Sequence, residues 1–222
     1  MTILEAIEQR HSVRKYKDKP IEVSKIQALN QEIEACNQEG GLSIQLVTED
    51  PDVFKGLLAH YGGFRGVSNY IALVGPDDSS LDEKAGYYGE RIVLKAQQLG
   101  LNTCWVAATY KKGRCRAVVT SGQRLVCILA IGYGATQGVP HKSKPMEKLC
   151  RVNTEPPQWF QDGMHAALLA PTAMNKQNFV ITLDGDHVTY EALKGTYTKV
   201  DLGIVKYHFQ AAVDVSDSLP EK

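Results

Sequence analysis

The sequence predicts an α+β protein laid out as two successive halves. Apolar residues recur at helical spacing over residues 24–39, 82–99 and 202–213. Short β-rich runs occur at 42–48, 70–74, 124–131 and 178–183. Aligning Phe179 with Ile44, an offset of 135 residues, lays the helix, turn and strand of the second half over those of the first. Pro156-Pro157, within residues 153–158, reads as a linker, so the expected division is 1–152 and 153–222.

Composition narrows the function classes. A chain of 222 residues with 43% hydrophobic content can bury a large core in one or two domains. Lys plus Arg and Asp plus Glu number 25 each, so no global field recruits nucleic acid or an acidic membrane, and any basic site must be local. Five cysteines, odd in number and without a C-x-x-C pair, argue against a disulfide framework or a zinc site and for a reducing compartment. The opening residues lack the apolar stretch of a signal peptide, and the longest apolar run, 125–131, is too short to span a bilayer; the expected location is the cytoplasm.

Taken in order, Thr2 and Glu5 form a capping box that starts a helix carrying Ile3, Leu4 and Ile7 and ending near Gln9 or Arg10. Arg10-His11-Ser12-Val13-Arg14-Lys15-Tyr16 follows. In an extended segment the i, i+2, i+4 spacing points Arg10, Ser12 and Arg14 to one side, and two guanidiniums with a hydroxyl suit a phosphate. A solvated basic patch has the same composition. Ser24 reads as the N-cap of the next helix and Gly40-Gly41 as its stop. Two strands, at 42–48 and 70–74, flank a loop-and-helix region containing Tyr61-Gly62-Gly63-Phe64. The 82–99 helix carries Gly86 and Gly89, each costing about 0.5–1 kcal/mol against alanine, which suggests close backbone approach or a loose surface helix. Gly100 sits where a C′ glycine belongs.

The small side chains of Ala107 and Ala108, after Trp105, leave main-chain N–H groups accessible to a flat ligand. The 124–131 strand ends at Gly132-Tyr133-Gly134 and leads to a second basic pair, Lys142 and Lys144, whose plain reading is a surface loop. Near the end of the chain a helix closing at 164–169 stops at Pro171. The turn Ala170-Pro171-Thr172-Ala173-Met174-Asn175-Lys176-Gln177 presents a hydroxyl and two amides, an inventory that suits a flavin or purine edge and equally suits local side-chain-to-backbone bonds.

Five of these pieces together resemble the FMN-dependent nitroreductase family, in its single-chain, internally duplicated branch. Residues 10–16 are similar to its R-x-S-x-R-x-[FY]; Leu99-Gly100-Leu101-Asn102-Thr103-Cys104-Trp105 to its L-G-L-x-T-x-W; Gly132-Tyr133 to its G-Y strand end; Lys142-Ser143-Lys144 to its K-x-[RK]; and residues 170–177 to its A-P-S-x-x-N-x-Q. The last lies in the second half, whereas the usual family carries it before the L-G-L element and builds its site at a homodimer interface. Thr172 and Asn178 replace the usual Ser and Pro, and Ala107-Ala108 stand where many members carry Gly.

The resemblance implies an antiparallel sheet core flanked by helices, an internal pseudo-dimer in one chain, and one FMN. It assigns Arg10, His11, Ser12, Arg14, Lys142 and Lys144 to the phosphate and ribityl end. Ala107 and Ala108 fall near the flavin N5, and Pro171, Thr172, Ala173 and Asn175 against the ring. No catalytic side chain and no metal are expected, because the flavin itself transfers hydride. The implied activity is reduction of nitroaromatics, quinones or another small acceptor by NAD(P)H; the alternative is a non-catalytic flavin-binding protein for storage or redox sensing. A monomer is the expected state, with a dimer that exchanges second halves as the other arrangement. A nucleotide-binding α/β protein is the weaker third reading, since no P-loop or G-x-G-x-x-G occurs.

Overall fold

Glu5 N–H donates to Thr2 Oγ1 at 3.2 Å and Thr2 N–H to Glu5 Oε2 at 2.7 Å, so the capping box closes and starts α1 (Ile3–Gln9). These distances come from a computed structural model that describes residues 1–217. The next helix, α2 (Val23–Gly40), begins one residue before Ser24. Its cap position is Glu22, in extended conformation, whose carboxylate pairs with Lys25 at 3.0 Å and Lys19 at 3.2 Å. Those two ammonium groups hold the Glu22 carboxyl down to about 2. Ser24 therefore falls inside the first turn rather than capping it. The helix stops where the sequence says, at Gly41 with φ +63°.

The chain packs into two compact units, each assembled from separate stretches. The first takes Gln9–Leu81 and Ile92–Pro140. Its core is a four-stranded antiparallel sheet of β1 (Gln45–Val47), β2 (Asn69–Pro76), β3 (Asn102–Val106) and β4 (Gln123–Gly132), in the order β1-β2-β4-β3. The two central strands, β2 and β4, are buried along nearly their whole length, which explains why they read as continuous apolar runs rather than alternating ones. On one face Tyr70, Ala72 and Val74 join Val106, Ile128 and Ala130 in a cluster with Val13 and Tyr16. That cluster fixes the 10–16 segment against the sheet. A short helix, α3 (Leu57–Tyr61), lies between β1 and β2.

The second unit takes Met1–Glu8, Asp82–Arg91 and the described chain from His141. It contains α5 (Gln158–Ala167), α6 (Thr198–Asp217) and a three-stranded sheet of β5 (Cys150–Val152), β6 (Phe179–Asp184) and β7 (His187–Ala192), with β5 parallel and β7 antiparallel to the central β6. The expected boundary at residue 152 falls inside this unit, between β5 and α5. One helix, α4 (Leu81–Gln98), gives its first part to the second unit and its last part to the first.

Of the two α4 glycines that sequence singled out, Gly86 and Gly89, the first has a physical cause in close backbone approach. A Cβ at Gly86 would overlap the Val200 carbonyl oxygen, and one at Gly203 would overlap that of Glu83, so α4 and α6 cross backbone to backbone. Lys206 and Glu83 close this contact with a 2.5 Å ion pair. The proposed repeat does not extend to the sheets. β1 is an edge strand with one antiparallel neighbour, whereas β6 is central and has one parallel neighbour. Among the described residues no helix is long and apolar enough to cross a membrane.

Candidate functional site

The 10–16 segment is held at every second or third residue. Val13 N–H donates to Thr103 O at 3.0 Å, Tyr16 N–H to Arg65 O at 2.9 Å and Lys17 N–H to Tyr133 O at 2.8 Å, while Arg65 N–H donates to Arg14 O at 2.9 Å. The His11 ring Nδ1 lies 3.0 Å from Gln137 O. In turn Asn102 ties the turn after β4, accepting from Gly134 N–H at 2.9 Å and donating to Gln137 Oε1 at 3.0 Å. The segment is thus an irregular edge laid on β3 and on the end of β4, with little freedom left.

Its three candidate ligands lie on the stretch that pairs with β3 at Thr103. Burial raises the Cys104 thiol, and the groups that oppose this rise are the Arg14 guanidinium, the Ser12 hydroxyl within hydrogen-bonding reach, and Arg10. Cys104 follows Thr103 on β3, the residue with which Ser12 and Val13 pair, so these groups act on it from the segment that runs beside that strand. Arg10 is buried, Ser12 half-buried and Arg14 exposed. Two guanidiniums and a hydroxyl within one five-residue segment fit a phosphate group, because the charge is concentrated and permanent. Ala107 and Ala108 sit just beyond β3, the first half-buried and the second exposed, in a bend rather than a strand.

The 171–177 loop, in the second unit, is built differently. Its polar side chains are committed to the loop itself. Thr172 Oγ1 accepts from Gln177 N–H at 3.0 Å, and Asn175 Nδ2 donates to Lys142 O at 2.9 Å. The Gln177 amide is buried; it accepts from Lys144 N–H at 2.7 Å and donates to Lys142 O at 3.0 Å and Asn175 Oδ1 at 2.9 Å. The Lys144 ammonium donates to the carbonyls of Lys176 and Gln177. Two of its three protons are thereby used, and the Lys142 side chain is the exposed cation of the pair.

From outside the loop, Ala173 N–H donates to Asp201 Oδ1 at 2.9 Å. Burial pushes the Asp201 carboxyl up to about 6, and this bond opposes the rise. Met174, Asn175 and Gln177 all have φ near +50°, three of the five non-glycine residues in the left-handed region among those described. Strain of this kind costs on the order of 1 kcal/mol per residue and persists where surroundings over-determine it. What this loop presents outward is a fixed backbone shape, with Met174 exposed at its tip.

One polar centre escaped sequence reasoning. His208 and Glu90 are both fully buried in the second unit, with Nε2 2.9 Å from Glu90 Oε1 and Nδ1 3.0 Å from Ala166 O. The pair places each ring nitrogen of His208 within hydrogen-bonding distance of an oxygen. It anchors α6 to α4 and to the end of α5 that leads into the 171–177 loop. The available signal was weak: Glu90 and His208 lie on the apolar faces of their helices, a placement that a single sequence does not distinguish from surface charge.

The model of the family described as "Putative TM nitroreductase" matches residues 2–213. No functionally curated protein matches the chain. Among solved structures, a putative nitroreductase from Thermotoga maritima MSB8 is similar with TM-score 0.65 and 21% identity, over 96% of this chain and 83% of that one. A putative nitroreductase in complex with FMN from Desulfovibrio desulfuricans gives TM-score 0.54 and 20% identity, over 70% and 97%. A putative NADH oxidase from Clostridium acetobutylicum gives 0.50 and 19%, over 65% and 96%. These likenesses establish the α+β fold expected from the sequence.

Proposed function

Since the chain belongs to the Putative TM nitroreductase family, we propose that it is an FMN-dependent oxidoreductase that takes hydride from NADH or NADPH and passes electrons to nitroaromatics, quinones or another small acceptor. The observation that carries this reading is the Arg10-Ser12-Arg14 segment itself, fixed along β3 by its backbone bonds to Thr103 and Arg65, which places two permanent charges and a hydroxyl within five residues in a chain of net charge zero. The solved relative that carries FMN supports the choice of phosphate ligand.

In this reading Arg10 and Arg14 hold the flavin phosphate through charge-assisted hydrogen bonds, and Ser12 adds a hydroxyl. The bend at Ala107 and Ala108 offers main-chain N–H groups to the isoalloxazine without side chains in the way. When bound, the flavin supplies the hydride chemistry; the protein supplies binding and orientation. No acidic or basic side chain is needed at the reacting atoms.

The test is spectroscopic. Apo-protein titrated with FMN should bind about one equivalent per chain, and anaerobic NADPH or NADH should bleach the bound flavin promptly. Flavin that binds and resists both nucleotides would defeat the oxidoreductase reading in favour of storage or sensing. Failure to bind FMN would defeat the flavoprotein reading altogether.

A further inference from the structure

Leu57, Leu58 and Tyr61 are 89%, 56% and 90% exposed, and all three belong to α3. Residues three and four apart share one side of a helix, so Tyr61 completes a single apolar face with the two leucines. The turn that carries them is closed: His60 N–H donates to Gly56 O at 3.1 Å, Gly62 N–H to Leu58 O at 3.0 Å and Phe64 N–H to Ala59 O at 3.0 Å. Ala59 is the buried residue of the helix. The three large side chains therefore stand outward from a fixed turn. Apolar residues scattered singly on a surface need no explanation, whereas several on one face mark a surface that something covers.

Beside this face lies Lys111-Lys112-Gly113-Arg114-Cys115-Arg116, four cations in six residues with no acid among them. Lys111 N–H donates to Val53 O at 2.9 Å, and the 3-10 turn of Lys112–Arg114 packs against that of Pro51–Phe54, which leads through Lys55 and Gly56 into α3. A Cβ at Gly56 would come within 2.8 Å of Lys111 Cε, and one at Gly62 within 2.7 Å of Thr109 Oγ1, so α3 is held against residues 109–111 at both of its ends. Lys111, Lys112, Arg114 and Arg116 are all exposed, and no acid pairs with them among the described residues. Asp52, the acid of the Pro51–Phe54 turn, is already bound by Lys55 at 2.6 Å. The charge of the run is thus left uncompensated beside the apolar face.

We propose that this surface docks the protein peripherally on an anionic phospholipid membrane, with Leu57, Leu58 and Tyr61 entering the headgroup region and the 111–116 run meeting the lipid phosphates. The inference goes beyond the oxidoreductase reading, and its test uses no flavin. Composition leaves room for it, because a chain of net charge zero carries any basic site locally. Two features favour a bilayer over an acidic protein. Side chains that stand almost wholly free need a partner with matching pockets in a protein interface, whereas the deformable lipid interface takes them without one, and tyrosine suits headgroup depth. The cations come from a single run, and an anionic leaflet offers charge at every position along it. Docking of this kind needs no membrane-spanning helix.

Flotation of the whole protein with vesicles decides it, using phosphatidylcholine alone and an equal mixture of phosphatidylcholine and phosphatidylglycerol. The expected result is binding to the mixed vesicles at least about tenfold tighter than to the neutral ones at about 0.1 M salt. Leu57→Ser/Leu58→Ser and, separately, Lys111→Gln/Arg114→Gln should each weaken that binding by about tenfold or more, with the melting temperature unchanged because all four positions are exposed. Lys148→Gln/Lys194→Gln removes the same charge from exposed positions in the second unit and should leave binding as it is. Equal affinity for the two vesicles, a loss shared by the Lys148/Lys194 variant, or binding untouched in the leucine variant would overturn the proposal. Failure to float with either vesicle would overturn it in favour of an acidic protein as the occupant of this face.

Discussion

Residues 10–14 and residues 171–177 both looked like ligand-binding stretches in the sequence, and they turn out to use their side chains in opposite ways. The first segment satisfies its backbone on neighbouring strands, and none of its backbone bonds draws on the guanidinium groups of Arg10 and Arg14 or the Ser12 hydroxyl. The second spends Thr172, Asn175, Gln177 and Lys144 on its own bracing, at the cost of three left-handed residues. A polar side chain in a motif is thus either a reader of ligand or a clamp on the backbone that reads it. The difference lies in whether the surrounding strands already satisfy the main chain.

The comparison breaks most severely at Gln177. Gln177→Ala strands the Lys144 N–H, takes away one of the two donors to the Lys142 carbonyl and empties a buried position, and should destabilise the second unit by about 3 kcal/mol, seen as a large fall in melting temperature. Ser12→Ala, in the reading segment, should leave the melting temperature nearly unchanged. Equal losses would show that both segments are structural clamps.

Next in size is the pH response of the loop's outer anchor. Asp201 is raised to about 6 from an ordinary carboxylate near 4, so the folded state holds that proton more tightly than the unfolded chain. Its contribution is therefore most favourable below about pH 4 and is lost as pH rises through about 6, amounting to about 2–3 kcal/mol. Asp201→Asn keeps an oxygen to accept from Ala173 N–H and removes the titration. Its stability relative to wild type should rise between pH 4 and 7; a constant difference across that range would contradict the assignment.

The smallest effect concerns strain. Met174→Gly gives up an exposed side chain and relieves a left-handed residue, for a net gain of roughly 0.5 kcal/mol in urea unfolding. A loss would mean that the exposed methionine packs on something that matters for folding.

How much of this was legible in the sequence depends on the range of the interaction concerned. The capping box, the Gly41 and Gly100 stops and the close approach at Gly86 were readable because each is fixed by local geometry or by a residue that pays an evident penalty. β7 escaped, although Gly185-Asp186 between Asp184 and His187 is a two-residue hairpin signal, because its residues alternate only between exposed and half-buried. β5 escaped because three residues carry no periodicity. The arginine cluster was readable as a spacing, but the strand it is laid against, at Thr103, comes about ninety residues later in the chain. The bracing role of Lys144 and Gln177 could not be read, since it depends on a pairing between two loops that share no sequence pattern.

The central claim, that residues 10–14 read a flavin phosphate through their side chains, is tested most directly by titrating FMN and riboflavin into wild type and Arg14→Ala. Arg14 is exposed, so its removal spares the fold. The account predicts that FMN affinity falls about tenfold to a hundredfold while riboflavin affinity stays within about twofold. Equal weakening of both flavins, or no change in either, would contradict it.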